Sequence, residues 1–179
     1  MIYVFFAEGF EEIEALAPVD VLRRGGIEVK TVGVTGKTVT GAHGIAVSTD
    51  MTVDQITLEG LEGIVLPGGM PGTLNLEANE RLCELVHHAD LKQLLIGAIC
   101  AAPSVLGRLG VLNGKRATCF PGFEKELAGA TVCDEQVVCD GNIITAKGAG
   151  AALDFAFALL CFLTDKQTAD DMSKAMCCK

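Results

Sequence analysis

Leu94-Leu95-Ile96-Gly97-Ala98-Ile99-Cys100-Ala101-Ala102-Pro103 runs from an apolar, strand-like segment into a helix start across a single cysteine. The spacing predicts a nucleophile elbow, small-x-nucleophile-x-small, in which a buried strand turns into a helix at one strained residue. Such a turn leaves no room for side chains two residues to either side, which accounts for Ala98 and Ala102. It lifts Cys100 to the rim of a sheet. A thiol before a helix N-terminus faces free amides and the positive end of the dipole, so the expectation is a lowered pKa and a nucleophile at neutral pH. A cysteine that merely fills apolar space produces the same local pattern, and this segment alone divides between the two readings.

Working outward, residues 2–7 and 64–66 are two further apolar runs that end abruptly in glycines or small residues, as buried strands do. After the first comes a helix with apolar positions at Ile13, Leu16, Ala17 and Val21, closed by Arg23-Arg24-Gly25-Gly26. Pro18 lies inside it and is expected to bend it or to start a second segment. Residues 27–34 resume as a strand, with short extended pieces near Val39 and 45–48. Asn79 caps a helix carrying Leu82, Leu85 and Val86; residues 101–109 form another; 116–119 are extended. Val137-Val138 and 143–146 flank Asp140-Gly141-Asn142 as a hairpin, and 151–163 form an apolar helix. Strands alternating with helices predict an α/β sandwich with a mostly parallel sheet covered on both faces. No linker or repeat divides the chain, so residues 1–179 read as one domain. The stretch 166–179 reads as a helix or a frayed tail and is assigned no function.

Composition narrows the function classes. Fourteen basic against 23 acidic residues give a net charge of -9, which repels phosphate backbones and anionic membrane surfaces, so nucleic acid is disfavoured as a partner. Eight cysteines are dispersed without a Cys-x-x-Cys pair, and several lie in apolar runs, which favours a reducing cytoplasm over a disulfide framework. The start of the chain lacks a basic segment and runs directly into Glu8, Glu11, Glu12 and Glu14, unlike a secretory signal. The apolar stretches 94–109 and 148–163 are broken by Pro103 and Asp154, so no membrane segment is expected.

Two further motifs can meet Cys100. Pro67-Gly68-Gly69 follows a buried strand; paired glycines let backbone approach a ligand, and their amides can hold an oxyanion, although an ordinary turn has the same look. It is not a phosphate loop, since no Lys-Ser/Thr pair follows. Glu11, Glu12 and Glu14 lie just beyond the first strand, where acidic residues are usually solvated partners of the helix dipole. In an open parallel sheet, however, the carboxyl ends of the strands share one edge, so Glu14, Gly69 and Cys100 can converge. A carboxyl beside a thiolate is desolvated and pressed by like charge, which raises its pKa toward acid/base use. Of the three histidines, His87 and His88 read as surface residues of a helix, and His43 lies in a loop with no defined direction. With none identifiable beside Cys100, a Cys-His-Asp protease is disfavoured, and the histidines and cysteines lack metal-ligand spacing.

Gly9-Phe10-Glu11-Glu12-Ile13-Glu14, Pro18-Val19-Asp20, Leu66-Pro67-Gly68-Gly69 and Ala98-Ile99-Cys100-Ala101-Ala102-Pro103 occur in this order and spacing. Together they make the chain resemble the ThiJ/PfpI superfamily, close to its Parkinsonism-associated deglycase branch. The resemblance runs from the first strand through Gly148-Ala149-Gly150 and Asp154-Phe155. It implies a flavodoxin-like fold, a homodimer, a cofactor-free site and a small carbonyl substrate. It also implies that Cys100 is the nucleophile, Glu14 its acidic partner, and the amides of Gly69 and Ala101 the anion pocket. The activities it implies are glutathione-independent glyoxalase, removal of early glycation adducts, or oxidative-stress sensing through a Cys100 sulfinate. Phe120 stands before Pro121 where the branch often has histidine, His43 where some relatives have arginine, Met70 where some have asparagine, and Ala149 where many have proline. The concrete expectation is attack of Cys100 on methylglyoxal with Glu14 moving protons; the rival is a sensor or chaperone-like protein working through Cys100 oxidation without turnover.

Overall fold

A computed structural model describes residues 1–178; of the C-terminal Met176-Cys177-Cys178-Lys179, Lys179 lies outside the described residues. The strands are β1 (Ile2–Phe6), β2 (Val29–Gly33), β3 (Thr38–Thr40), β4 (Ala46–Ser48), β5 (Met51–Thr52), β6 (Gly63–Leu66), β7 (Leu95–Ile99), β8 (Arg116–Ala117), β9 (Thr131–Val132), β10 (Val137–Asp140) and β11 (Ile143–Ala146). The helices are α1 (Glu12–Arg24), α2 (Gly72–Glu77), α3 (Glu80–Leu91), α4 (Pro103–Arg108), α5 (Ala152–Leu163) and α6 (Lys166–Ala175).

Seven strands form the main sheet in the order β10-β11-β7-β6-β1-β2-β5. All pair in parallel except the β10–β11 hairpin at one edge. The expected α/β sandwich with a mostly parallel sheet and helices on both faces is the observed architecture, and its flavodoxin-like layering follows from strand alternation. Along β1, Tyr3 and Phe5 point into one core with Leu82 and Val86 of α3 and Leu106 of α4. Ile2, Val4 and Phe6 point into the other, with Leu22 of α1 and Phe155 and Leu159 of α5. A strand covered on both faces is apolar at every position, which is why β1, β6 and β7 read as continuous runs. A Cβ on Gly97 would sit 2.8 Å from Leu159 Cδ2 and 3.0 Å from Phe155 Cζ, so this glycine sets how closely α5 approaches β7. No helix among the described residues is long and apolar enough to cross a membrane.

Two features of α1 depart from expectation. The helix runs from Glu12 to Arg24 with Pro18 inside it, so no second segment starts at the proline. Its buried side is Glu14, Ala15, Pro18, Val19, Val21 and Leu22, whereas Ile13 is 57% exposed and Leu16 also faces outward. The predicted apolar stripe was rotated because the helix turns an acidic residue, Glu14, toward the strand ends. The C-terminal stretch resolves as a helix: Asp165 caps α6 by accepting from the Thr168 amide at 2.9 Å.

Candidate active site

The sheet places the carboxyl ends of β1, β6 and β7 side by side, and the chain order jumps between β1 and β6, the switch point at which parallel sheets open a crevice. Three turns meet there. After β7, Cys100 adopts φ 65°, the strained conformation expected of an elbow. Its backbone is clamped on both sides: its N–H donates to Ala146 O (2.9 Å), and its C=O accepts from Phe120 N–H (2.8 Å). Ala98 and Ala102 are fully buried, as the tightness of the turn requires.

After β6, the Gly68 amide donates to Glu14 Oε2 at 3.0 Å. A Cβ on Gly68 would lie 2.6 Å from Cys100 Cβ and 2.8 Å from Glu14 Oε2, so only glycine admits the thiol and carboxyl together. Gly69, at φ +91°, turns its amide toward the Cys100 sulfur, as does Ala101. After β1, Glu11 caps α1 by accepting from the Glu14 amide at 2.8 Å, which places Glu14, 1% exposed, in the crevice. All four expected residues, Cys100, Glu14, Gly69 and Ala101, thus meet at the strand ends.

The electrostatics differ from the sequence expectation for the thiol. Burial lifts the Glu14 carboxyl to about 7, helped by the charge of Glu11 and opposed by hydrogen bonds from Cys100, Gly68 and Ala149. Burial likewise pushes the Cys100 thiol up to about 12, reinforced by the charge and hydrogen bond of Glu14 and opposed by the Gly69 and Ala101 amides. The lowered cysteine pKa expected from a helix N-terminus is therefore corrected. Helix α4 begins three residues after the cysteine and has six residues, so little dipole reaches the sulfur, while the buried carboxyl sits within hydrogen-bond reach. The pair holds a proton that must move before sulfur can attack.

The other two glutamates are not simply solvated. Glu12 is 5% exposed; its Oε1 accepts from the His43 amide (2.8 Å) and its Oε2 from His43 Nδ1 (2.8 Å), which ties the loop after β3 to α1. Burial acts to raise the Glu12 pKa, but these bonds outweigh it and hold the carboxyl below its usual value; the same contact raises the exposed His43. Ligand atoms of Glu11, Glu12 and His43 lie within 4.8 Å of one another, a grouping that linear spacing conceals because His43 arrives from a different loop. These atoms are already engaged in capping α1 and in pinning that loop. His87 and His88 are on α3, outside the crevice.

The sequence marks Ala149 only as a departure from the family's proline and Gly148 only as part of the resemblance; the structure makes both walls of the site. The Ala149 amide reaches Glu14, and Gly148 brings backbone close to it: a Cβ there would be 3.8 Å from Glu14 Oε1 and 3.2 Å from the Phe120 ring. All eight cysteines are free thiols. Cys119 is buried in the core on the sheet face opposite that of Cys100, and burial raises its pKa to about 11.

The family model described as the DJ-1/PfpI family matches residues 1–161. Among curated proteins the chain is 39% identical to Protein DJ-1 homolog A of Arabidopsis thaliana over 95% of this chain and 44% of that protein, so it spans less than half of that relative's length. It is 33% identical to a deglycase of Pyrococcus horikoshii over 79% of this chain and 86% of that protein. Among solved structures, a DJ-1 superfamily protein of Salmonella typhimurium superposes with a TM-score of 0.94 at 34% identity, covering 99% of this chain and 98% of the other.

Proposed function

Because the chain belongs to the DJ-1/PfpI family, we propose that it is a cysteine-dependent enzyme that works without a cofactor on small 2-oxoaldehydes or early glycation adducts, converting methylglyoxal to lactate. The observation that carries this reading is the Glu14 carboxyl, lifted to about 7, against a thiol that cannot ionise alone. A base of that pKa is half-charged at neutral pH, the condition in which one group can both accept and return a proton. The kinship to a deglycase supports the same chemistry.

In the proposed sequence the Glu14 carboxylate takes the Cys100 proton as Sγ bonds to the aldehyde carbon. The carbonyl electron pair moves onto oxygen, which rests on the amides of Gly69 and Ala101 and then takes the proton from Glu14. Glu14 next removes the hydrogen on the former aldehyde carbon, giving an enediolate; the proton on the first oxygen passes to the second, and Glu14 delivers the carbon-derived proton to the neighbouring carbon, leaving a 2-hydroxy thioester. Water cleaves the thioester, releasing lactate and restoring the thiol. The sum is methylglyoxal plus water; hydrogen shifts within the substrate, and no outside oxidant or reductant enters.

The sensor reading uses the same two residues, with Cys100 oxidised to a sulfinate that a protonated Glu14 can hold, and peroxide treatment that yields a new stable state without turnover is the outcome that favours it. Lactate formation from methylglyoxal, without glutathione, by the native chain and by Cys100→Ser and Glu14→Gln variants tests the proposal. Turnover by the native chain that both substitutions abolish is expected; native turnover no faster than that of Cys100→Ser would overturn it.

A further inference from the structure

One wall of the crevice is unaccounted for by the chemistry at Cys100. Phe120 is 47% exposed although apolar, and it stacks on no other ring among the described residues. Its backbone is tied to the nucleophile through the bond from its amide to Cys100 O. The ring lies against Gly148, which lacks the Cβ that would crowd it, and that same point of backbone borders the Glu14 carboxyl. Beyond the ring lies a shallow cavity of about 280 Å³, open to solvent, lined by Phe120, Pro121, Gln136, Lys147 and residues 148–151.

The charges here favour an uncharged guest. The Lys147 ammonium is paired with Asp134, and the carboxyl that borders Gly148 on the crevice side is that of Glu14. An anionic substituent would therefore meet repulsion without a free cation. A flat apolar group can cover the exposed ring, and offset stacking between two aromatic rings adds to the gain from area removed from water.

We propose that Phe120 and the cavity beside it form a substituent subsite, so that the enzyme prefers a 2-oxoaldehyde bearing a neutral aryl group over one bearing a methyl group. The inference rests on the glyoxalase reading: with the aldehyde carbon at Cys100 and its oxygen on the Gly69 and Ala101 amides, the substituent on the second carbon extends toward Gly148 and Phe120. Phe120 is then a specificity-determining residue.

The test compares phenylglyoxal with methylglyoxal, each normalised to its reaction with a small free thiol, for the native chain and for Phe120→Ala and Phe120→Trp. The native chain is expected to favour phenylglyoxal by about tenfold in kcat/KM, mostly through KM, the size expected of one aromatic contact plus its burial. Phe120→Ala should bring the ratio to about 1, and Phe120→Trp should keep it. An unchanged ratio in Phe120→Ala, or a native preference for methylglyoxal, overturns the subsite. Hemithioacetal formation at Cys100, followed by 13C NMR with either aldehyde labelled at its reacting carbon, separates the two claims. If neither aldehyde is turned over, the glyoxalase reading fails, yet a Phe120-dependent preference for the aryl adduct upholds the subsite and equal adduct formation refutes it.

Discussion

Glu14 is a carboxyl that folding makes harder to ionise, and this has a consequence for stability with a definite sign. The unfolded chain ionises near 4.5 and the folded chain near 7, so below about pH 4.5 the group is protonated in both states and its stabilising contribution is complete. As pH rises toward 7 the unfolded state loses its proton first, and the contribution falls by about 3 kcal/mol before levelling off. Glu14→Gln removes the titration. Urea unfolding across pH 4 to 8 is expected to show the variant gaining on the native protein over that interval by this order; a constant difference between the two would contradict the burial argument. The position of Cys100 was legible from ten residues because an elbow is a local device. The direction of its pKa was not, because burial and the carboxyl that set it arrive through tertiary structure.

The turns that carry the site are specified as tightly as the side chains. Gly68→Ala would drive a Cβ to 2.6 Å from Cys100 Cβ and 2.8 Å from Glu14 Oε2. It is expected to cost about 1–3 kcal/mol of stability through overpacking and to depress kcat/KM far more than KM, as steady-state kinetics beside urea unfolding will show; near-native values in both would mean the close approach is not required. Glu12→Ala leaves the His43 amide and Nδ1 without their partner. Because His43 is exposed, water replaces the lost acceptor and the global cost is small; faster hydrogen exchange confined to residues 41–45 is the expected signature, and unchanged exchange there would show that another contact holds the loop. Strands β1, β6 and β7 and the Asn79 cap of α3 were readable, because apolar runs and capping residues act locally; the Asn79 side chain does accept from Leu82 N–H at 2.9 Å. Helix α2 was not, since it has six residues and Pro71 supplies no side-chain cap. The inward face of α1 was misjudged for a different reason: its apolar Ile13 and Leu16 point outward so that Glu14 can point in.

At the scale of the molecule, a parallel sheet brings three distant turns to one crevice, and alternation of strands and helices was enough to anticipate that convergence, though not which strands would be neighbours. Phe120 and Ala149 stood out only as departures from the family pattern, and their place as walls beside Gly148 was not legible because backbone approach and ring placement have no periodic signature. We propose a homodimer, as the motif resemblance leads one to expect, and sedimentation equilibrium is expected to return twice the chain mass; a monomer at all concentrations would contradict that proposal. The central claim is that the Glu14 carboxyl, not a pre-formed thiolate, controls the reaction of Cys100. Its most direct test is the pH dependence of kcat/KM for lactate formation from methylglyoxal. A rise through an inflection at about 7 and a plateau above it is expected. A rate flat from pH 5 to 9, or one that keeps rising through 9 without an inflection near 7, would contradict it.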